Sequence, residues 1–319
     1  MTDMKKRIAG ALFGVAVGDA LGGPVEFMSP AQIGRECSLF LDPRGRLASM
    51  IGGGWLNLEP GEVTDDTQMT LCVAEGIVEA PQTPIQAIGR RFIDWANGGP
   101  KDIGGACASS IHNAQRIGGW APTAAEWEAA GKATQHSTGR PAEGNGALMR
   151  TVYPGLFYPS AVQAVTIAQK IAQMTHAGER STDACILYTR MVHLLTASES
   201  QIQDRLRPAE FLAERCRTVP EYLEAAQADS VAPASGGWVV DSMRIAVGSV
   251  ATTDSFKEAV VTAVNLGGDA DTNGAITGGL AGAWYGYDAI PAEWINALAP
   301  EVQTALIRLT NAAYDARRG

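Results

Sequence analysis

Apolar residues recur every three to four positions along nearly the whole chain, the period of a helix and not of a strand. Thr2 or Asp3 suits the cap of the first run, which continues to about residue 17 with Ile8, Leu12, Val15 and Ala16 along one side. Met69, Cys72, Val73, Gly76 and Ile77 mark a second helix over 67–78. The same spacing predicts helices over 84–95, 104–117, 161–174 and 181–197, then over 209–217, 241–250, 255–266, 272–284 and 301–317. Pro84 suits a first helical position, and Thr182-Asp183 after Ser181 puts an acid in a first turn. Strand-type alternation is nearly absent, and the Gly-rich stretch 47–63 suits a short hairpin or a loop. The segment 272–286 carries Gly274, Gly278, Gly279 and Gly282. Each costs an isolated helix about 1 kcal/mol, so this one requires close backbone packing in the middle of the protein. With no repeat, linker or charge block, the expectation is one all-α domain over 1–319.

Composition narrows the function classes. At 319 residues with 46% hydrophobic and 18% charged, the chain buries a substantial core and is not a disordered type. A net charge of −9 argues against a general binder of phosphate backbones, so no nucleic-acid partner is expected. Cys37, Cys72, Cys107, Cys185 and Cys216 are odd in number and form no C-x-x-C pair, as reduced structural thiols do. The basic start and the apolar stretch 8–17 lead straight to Asp19 with no cleavage-site pattern, which speaks against a signal peptide. No run is read as approaching the ~18 to 20 apolar residues of a membrane span, and the cytoplasm is the expected location.

Two carboxylate clusters carry the chemistry. The first is Thr64-Asp65-Asp66-Thr67; the second is Gly267-Gly268-Asp269-Ala270-Asp271-Thr272-Asn273. Each admits a plain reading as a helix cap, because Thr and Asp before a helix are ordinary and Asp favours the positive end of the dipole. At a helix entrance, however, Asp65, Asp66 and the Thr64 hydroxyl converge on one point. Asp269 and Asp271, spaced i, i+2, share a side in an extended or turn segment, and Gly267 and Gly268 let the backbone turn sharply. Neither cluster has Lys or Arg beside it to offset its charge. Hard oxygen ligands of this kind suit Mg²⁺ or Mn²⁺ and not zinc. The spacing is not that of an EF-hand, and His112, His136, His176 and His193 show no zinc-ligand pattern.

The stretch from Gly10 to Gly22 (G-A-L-F-G-V-A-V-G-D-A-L-G), Glu26-Phe27, Thr64-Asp65-Asp66-Thr67-Gln68-Met69, Asp102-Ile103-Gly104, Gly144-Asn145-Gly146-Ala147-Leu148-Met149-Arg150, Thr175-His176 and the second acidic cluster follow one another along the chain. In that order they resemble the motifs of the ADP-ribosylglycohydrolases, and the resemblance covers nearly the whole chain. It implies a compact, orthogonal all-α bundle with a binuclear Mg²⁺ or Mn²⁺ centre in a central cleft. The implied ligands are Thr64, Asp65, Asp66, Asp269, Asp271 and Thr272. Glu26 matches an acid near the metals, and Glu26, Asp65 or Asp66 is the implied catalytic base. Asp102 matches a cleft-wall carboxylate at the scissile end of the substrate. Gly144, Asn145, Gly146, Met149, Arg150 and His176 match the surroundings of the ADP-ribose.

The residues themselves fit that chemistry. Gly144 and Gly146 leave backbone N–H groups for an anion nest, and Asn145 bridges hydroxyl and phosphate oxygens. Arg150 pairs either with a phosphate or with a structural acid, and His176 either stacks on the nucleotide or is a plain structural histidine. The expected activity is removal of ADP-ribose from a modified protein side chain, arginine-linked first, with free ADP-ribose as product. Competing readings are another ADP-ribose linkage such as serine, a different two-metal phosphohydrolase, or a non-catalytic ADP-ribose-binding protein.

Overall fold

The computed structural model describes residues 1–137, 143–197, 207–233 and 236–318, and among them the regular structure is helical. The first helices are α1 (Asp3–Gly22), α2 (Pro30–Glu36), α3 (Asp65–Glu79), α4 (Ile85–Asn97), α5 (Gly105–Gly118) and α6 (Ala124–Ser137). Next come α7 (Val152–Phe157), α8 (Ala161–Gln173), α9 (Glu179–Leu195), α10 (Pro208–Cys216) and α11 (Pro220–Gln227). The chain closes with α12 (Val239–Ala251), α13 (Phe256–Asn265), α14 (Ala270–Tyr285), α15 (Ala292–Ala297) and α16 (Pro300–Arg318). Extended pairing among the described residues is limited to isolated bridges, one of which, Gly53 to Leu58, closes a hairpin in the Gly-rich stretch.

The centre of the bundle is an antiparallel crossing of α1 on α14. A Cβ placed on Gly10, Gly14, Gly18 or Gly22 would meet backbone of Gly282, Gly278, Gly274 and Ala270 in turn, all within 2.3 Å. Their carbonyls therefore lie against bare Cα atoms, and no side chain intervenes. This is the close packing that the glycines of 272–286 require. Buried side chains fill the flanks: Tyr188 of α9 donates its hydroxyl to the Ile276 carbonyl (2.9 Å), and Phe256 of α13 lies against Gly14.

The first helix departs from the sequence reading. It runs through Gly18 and Asp19 to Gly22, beyond residue 17, and from Met4 onward it is largely buried. The segment Asp3–Val25 is, by length and composition, apolar enough to cross a bilayer, contrary to the expectation of no such run, but its apolar residues are spent on the protein core. Thr2 does cap it. Ser181 does not start α9: that helix begins at Glu179, and the Ser181 hydroxyl donates to the Gly144 carbonyl (3.0 Å). Pro84 stands just before α4 and not at its first position. The spacing also missed α2, α6, α7, α11 and α15, four of which are eight residues or shorter and give too few turns for a period to show.

The crossing predicts an asymmetric response to added methyl groups. Gly278→Val drives side-chain atoms into the Gly14 backbone, and calorimetry should show a loss of at least about 3 kcal/mol. Gly34→Ala on α2, where a Cβ meets nothing within 4 Å, should instead stabilise by about 0.5 to 1 kcal/mol.

Candidate active site

Because α1 and α14 are antiparallel, the C-terminal end of α1 and the N-terminal end of α14 meet at one end of the crossing. The entrance to α3 packs against them there. Thr64 and Asp269 occupy the N-cap positions of α3 and α14, yet neither side chain makes a capping hydrogen bond. For α3 that task falls to Asp19, which is fully buried. Its carboxylate accepts the Thr64 N–H (3.0 Å), the Thr64 hydroxyl (2.8 Å), the Thr67 N–H (3.1 Å) and the Thr67 hydroxyl (2.5 Å). Capping from outside leaves Asp65 and Asp66 facing inward. The sequence reading passed over Asp19 as a functional residue. A single acid in an otherwise apolar helix was the available signal, since a carboxylate buried there must find donors.

The carboxylates gather into two groups that share one member. Oxygens of Asp19, Asp66 and Asp271 lie within 4.8 Å of one another, as do those of Glu26, Asp269 and Asp271. The Asp66 Oδ1 atom is buried with no hydrogen-bond partner. Its Oδ2 sits 3.2 Å from the Thr64 hydroxyl and 3.4 Å from that of Thr272. Asp65 is buried beside them and accepts the Gly104 N–H at 3.4 Å. Gly267 and Gly268 both take positive φ, as the sharp turn requires. Asp271, however, lies in the first turn of α14, so it meets Asp269 through a helix entrance and not through an extended segment.

Packing these acids together raises their proton affinities. Burial, then Asp19 and Asp65, holds Asp66 well above the usual carboxylate range, and burial, then Asp66, does the same to Asp271. Burial, then Asp102, lifts Asp65 to about 7. Glu26 is pushed up to about 8 by burial, with Asp269 and Asp102 adding to it. Asp19 rises only to about 6, because its hydrogen bonds to Thr64 and Thr67 offset the burial. An orphaned buried oxygen among crowded carboxylates and hydroxyls is the donor set of a hard divalent cation, and two groups sharing Asp271 fit two. Asp19 is the exception within its group, because its oxygens are already occupied by donors.

These residues border a cleft of about 470 Å³. Glu26, Asp65, Asp102, Asp269, Asp271 and Thr272 line its acidic side, with Phe27 and Trp55. Gly144, Asn145, Gly146, Met149 and His176 line it too, with Gly237, and Asn145 and Gly237 sit against Asp269. The Glu26 loop is tied to the second cluster by two backbone bonds, Phe27 N–H to the Gly268 carbonyl (2.6 Å) and Gly268 N–H to the Met28 carbonyl (2.8 Å). Trp55 Nε1–H donates to Glu26 Oε2 at 2.6 Å.

Three expectations for the nucleotide side need correction. The Asn145 N–H is taken by the Gly237 carbonyl (2.9 Å), and Gly144 and Gly146 lack positive φ, so the segment does not curl into a nest. The two glycines are small for another reason: a Cβ on either would crowd the His176 ring, at 3.2 and 3.1 Å. Asn145 turns its amide on Asp269 Oδ2 (2.6 Å) and Ser242 (2.9 Å), which braces the second cluster. Arg150 is fully buried and outside the cleft lining, and no acid among the described residues pairs with it. Its guanidinium donates to the Gly146 carbonyl and to Thr175 Oγ1 (2.7 Å) and packs on the Phe92 ring.

Arg150 thus acts through His176. The Thr175 hydroxyl lies 2.7 Å from His176 Nδ1, and we assign the hydroxyl as the donor. On that assignment the imidazole proton sits on Nε2, on the side of Gly144. Burial, reinforced by Arg150, lowers the His176 pKa to about 3, so the ring is neutral.

The sequence profile of the ADP-ribosylglycohydrolase family matches residues 1–319, and the chain belongs to that enzyme family. It is 32% identical over 309 residues to ADP-ribosyl-(dinitrogen reductase) glycohydrolase of Rhodospirillum rubrum, covering 96% of this chain and 95% of that one. It is also 32% identical over 302 residues to ADP-ribosylarginine hydrolase Tri1 of Serratia proteamaculans, covering 92% and 75%. A solved structure described as an ADP-ribosylglycohydrolase-related protein complex superposes with a TM-score of 0.72 at 27% identity, covering 98% and 99%.

Two outcomes follow from the crowding. Glu26 and Asp65 titrate near 8 and 7, so the folded cation-free protein keeps protons that the unfolded chain releases near pH 4. That stabilisation is complete below about pH 4 and is lost as pH rises through 7 to 8. In chelator, melting at pH 8.5 should therefore come below melting at pH 5.5, with Mg²⁺ or Mn²⁺ raising it more at pH 8.5. Asp19→Asn should weaken cation affinity about 10- to 100-fold by calorimetric titration, the usual cost of losing an outer partner.

Proposed function

We propose that this protein is a metal-dependent hydrolase that removes ADP-ribose from modified protein side chains, with ADP-ribosyl-arginine as its substrate, working as one domain over 1–319. The observation that carries the proposal is the pair of carboxylate groups sharing Asp271 at the wall of the cleft. The relatives named for dinitrogen reductase and for ADP-ribosylarginine support it.

Thr64, Asp65, Asp66, Asp269, Asp271 and Thr272 would hold two divalent cations, Mg²⁺ or Mn²⁺. Bound there, the cations would supply Lewis-acid polarisation of the ribose hydroxyls and of water. Glu26 stands at the edge of this centre, fixed by Trp55, and is the base that takes a proton from the attacking water. The Trp55 anchor favours it over Asp65 and Asp66, which on the proposed ligand set would hold the cations. Asp102, on the loop between α4 and α5, is held above its ordinary range by burial and then by Asp269. It faces the scissile end, where it orients the leaving guanidinium nitrogen. Carboxylates around the anomeric carbon stabilise positive charge developing on the sugar ring. Beside the second cluster, Gly144, Asn145, Gly146, Met149 and neutral His176 hold the rest of the nucleotide, with no like charge on His176 to meet a diphosphate.

The test is a hydrolysis panel of arginine-, serine- and glutamate-linked ADP-ribose with each metal, read by release of free ADP-ribose. Arginine-linked substrate should be cleaved fastest and no inorganic phosphate should appear; phosphate release would overturn the proposal. Asp271→Asn should lower kcat/KM by about 100-fold or more, exceeding the loss typical of an outer partner, because both groups lose a member.

A further inference from the structure

Two large aromatic side chains stand exposed at the acidic end of the cleft, and neither the core nor the cation centre uses their rings. Phe27 is 67% exposed and Trp55 is 54% exposed, with ring centroids 5.6 Å apart and planes tilted by 42°. Phe27 also has a φ of 64°, a conformation that bulky residues rarely adopt and that costs about 1 kcal/mol or more. Asn at this position would ease the backbone, so the ring is kept against a local cost.

The setting of the rings is built and not incidental. Trp55 spends its one N–H on Glu26, which leaves its two faces as the remaining surface for recognition. It lies in the hairpin closed by Gly53 and Leu58. Lys101 joins that hairpin to the next loop by donating to the Asn57 carbonyl (3.3 Å) and pairing with Glu62 (2.7 Å). The residue after Lys101 is Asp102. Phe27, Trp55, Glu26 and Asp102 thus border one end of one cleft. Gly144, Gly146 and neutral His176, which line the same cleft, carry no charge.

A planar cation is attracted by the Asp102 carboxylate and by the aromatic faces together. We infer that Phe27 and Trp55 form an aromatic rim that receives the guanidinium of an ADP-ribosylated arginine, with Asp102 as its charged partner, and so select for that linkage. The inference rests on the proposed arginine-directed hydrolysis and names the residues that confer it. A serine-linked substrate presents no cation to the rim and gains little from it.

The test uses the full chain loaded with Mn²⁺ and three probes: an ADP-ribosyl-arginine peptide, an ADP-ribosyl-serine peptide and free ADP-ribose. Phe27→Asn removes one ring while suiting the backbone, and Trp55→Ala removes the other. Both should raise KM for the arginine peptide roughly 3- to 30-fold, the range of a cation–aromatic contact, and leave ADP-ribose affinity within about twofold. Trp55→Phe keeps a ring but frees Glu26, so it should lower kcat and spare KM. Unchanged KM in Phe27→Asn and Trp55→Ala would overturn the inference. So would an equal rise for both peptides, or a matching loss of ADP-ribose affinity. The unaltered enzyme reports on the linkage separately. If it leaves the arginine peptide intact, the linkage assignment falls. The rim is then read from inhibition by an unmodified arginine peptide, which the same two variants must weaken, and unweakened inhibition overturns it.

Discussion

The backbone-to-backbone contact between α1 and α14 is the constraint from which the site follows. Side chains between two helices would leave room for sliding and rotation. Carbonyls seated against the bare Cα atoms of Gly10, Gly14, Gly18 and Gly22 leave little of either. Register along the pair is thereby fixed, and with it the distance between the end of one helix and the start of the other. Asp19 comes from the first and Glu26 from the loop just after it, Asp269, Asp271 and Thr272 from the start of the second. A shift of one helical turn would move a carboxylate by about 5.4 Å, more than the 4.8 Å that spans each carboxylate group.

The same crossing makes an unfavourable charge arrangement bearable. Two helix N-termini, those of α3 and α14, point into the acidic centre, and their positive ends favour anions there. Asp19 supplies a further brace by binding the entrance of α3 through Thr64 and Thr67. The price of this centre is proton retention in the cation-free protein, visible in the raised proton affinities of Glu26, Asp65, Asp66 and Asp271. A cation held there would compete with protons for one set of oxygens, which would couple its binding to folding.

Much of this was legible in the chain because hydrophobic period and acidic clusters are local signals. The helices of ten residues or more were read nearly in full, α6 excepted, and the excess of glycine in α14 pointed correctly to a close partner. What sequence could not show was which partner a side chain would choose. Asp19 read as an interruption of an apolar run, although its buried carboxylate organises α3. Arg150 read as a phosphate ligand or the mate of an acid, because a cation beside a Gly-rich segment suggests both. Folding instead sends it under the cleft, where it sets His176. Trp55 carried no local signal at all: its meaning comes from Glu26 and Phe27, brought to it only by the hairpin in 47–63.

The central claim is that two acidic clusters, distant in sequence, make one two-cation site facing the ribose. Anomalous diffraction from crystals grown with Mn²⁺ and ADP-ribose tests it most directly. The account predicts two Mn²⁺ peaks flanking Asp271, one toward Asp66 and one toward Asp269, with the ribose beside them and the diphosphate toward His176. A single peak held by one cluster alone, or Mn²⁺ bound away from Asp271, would contradict it.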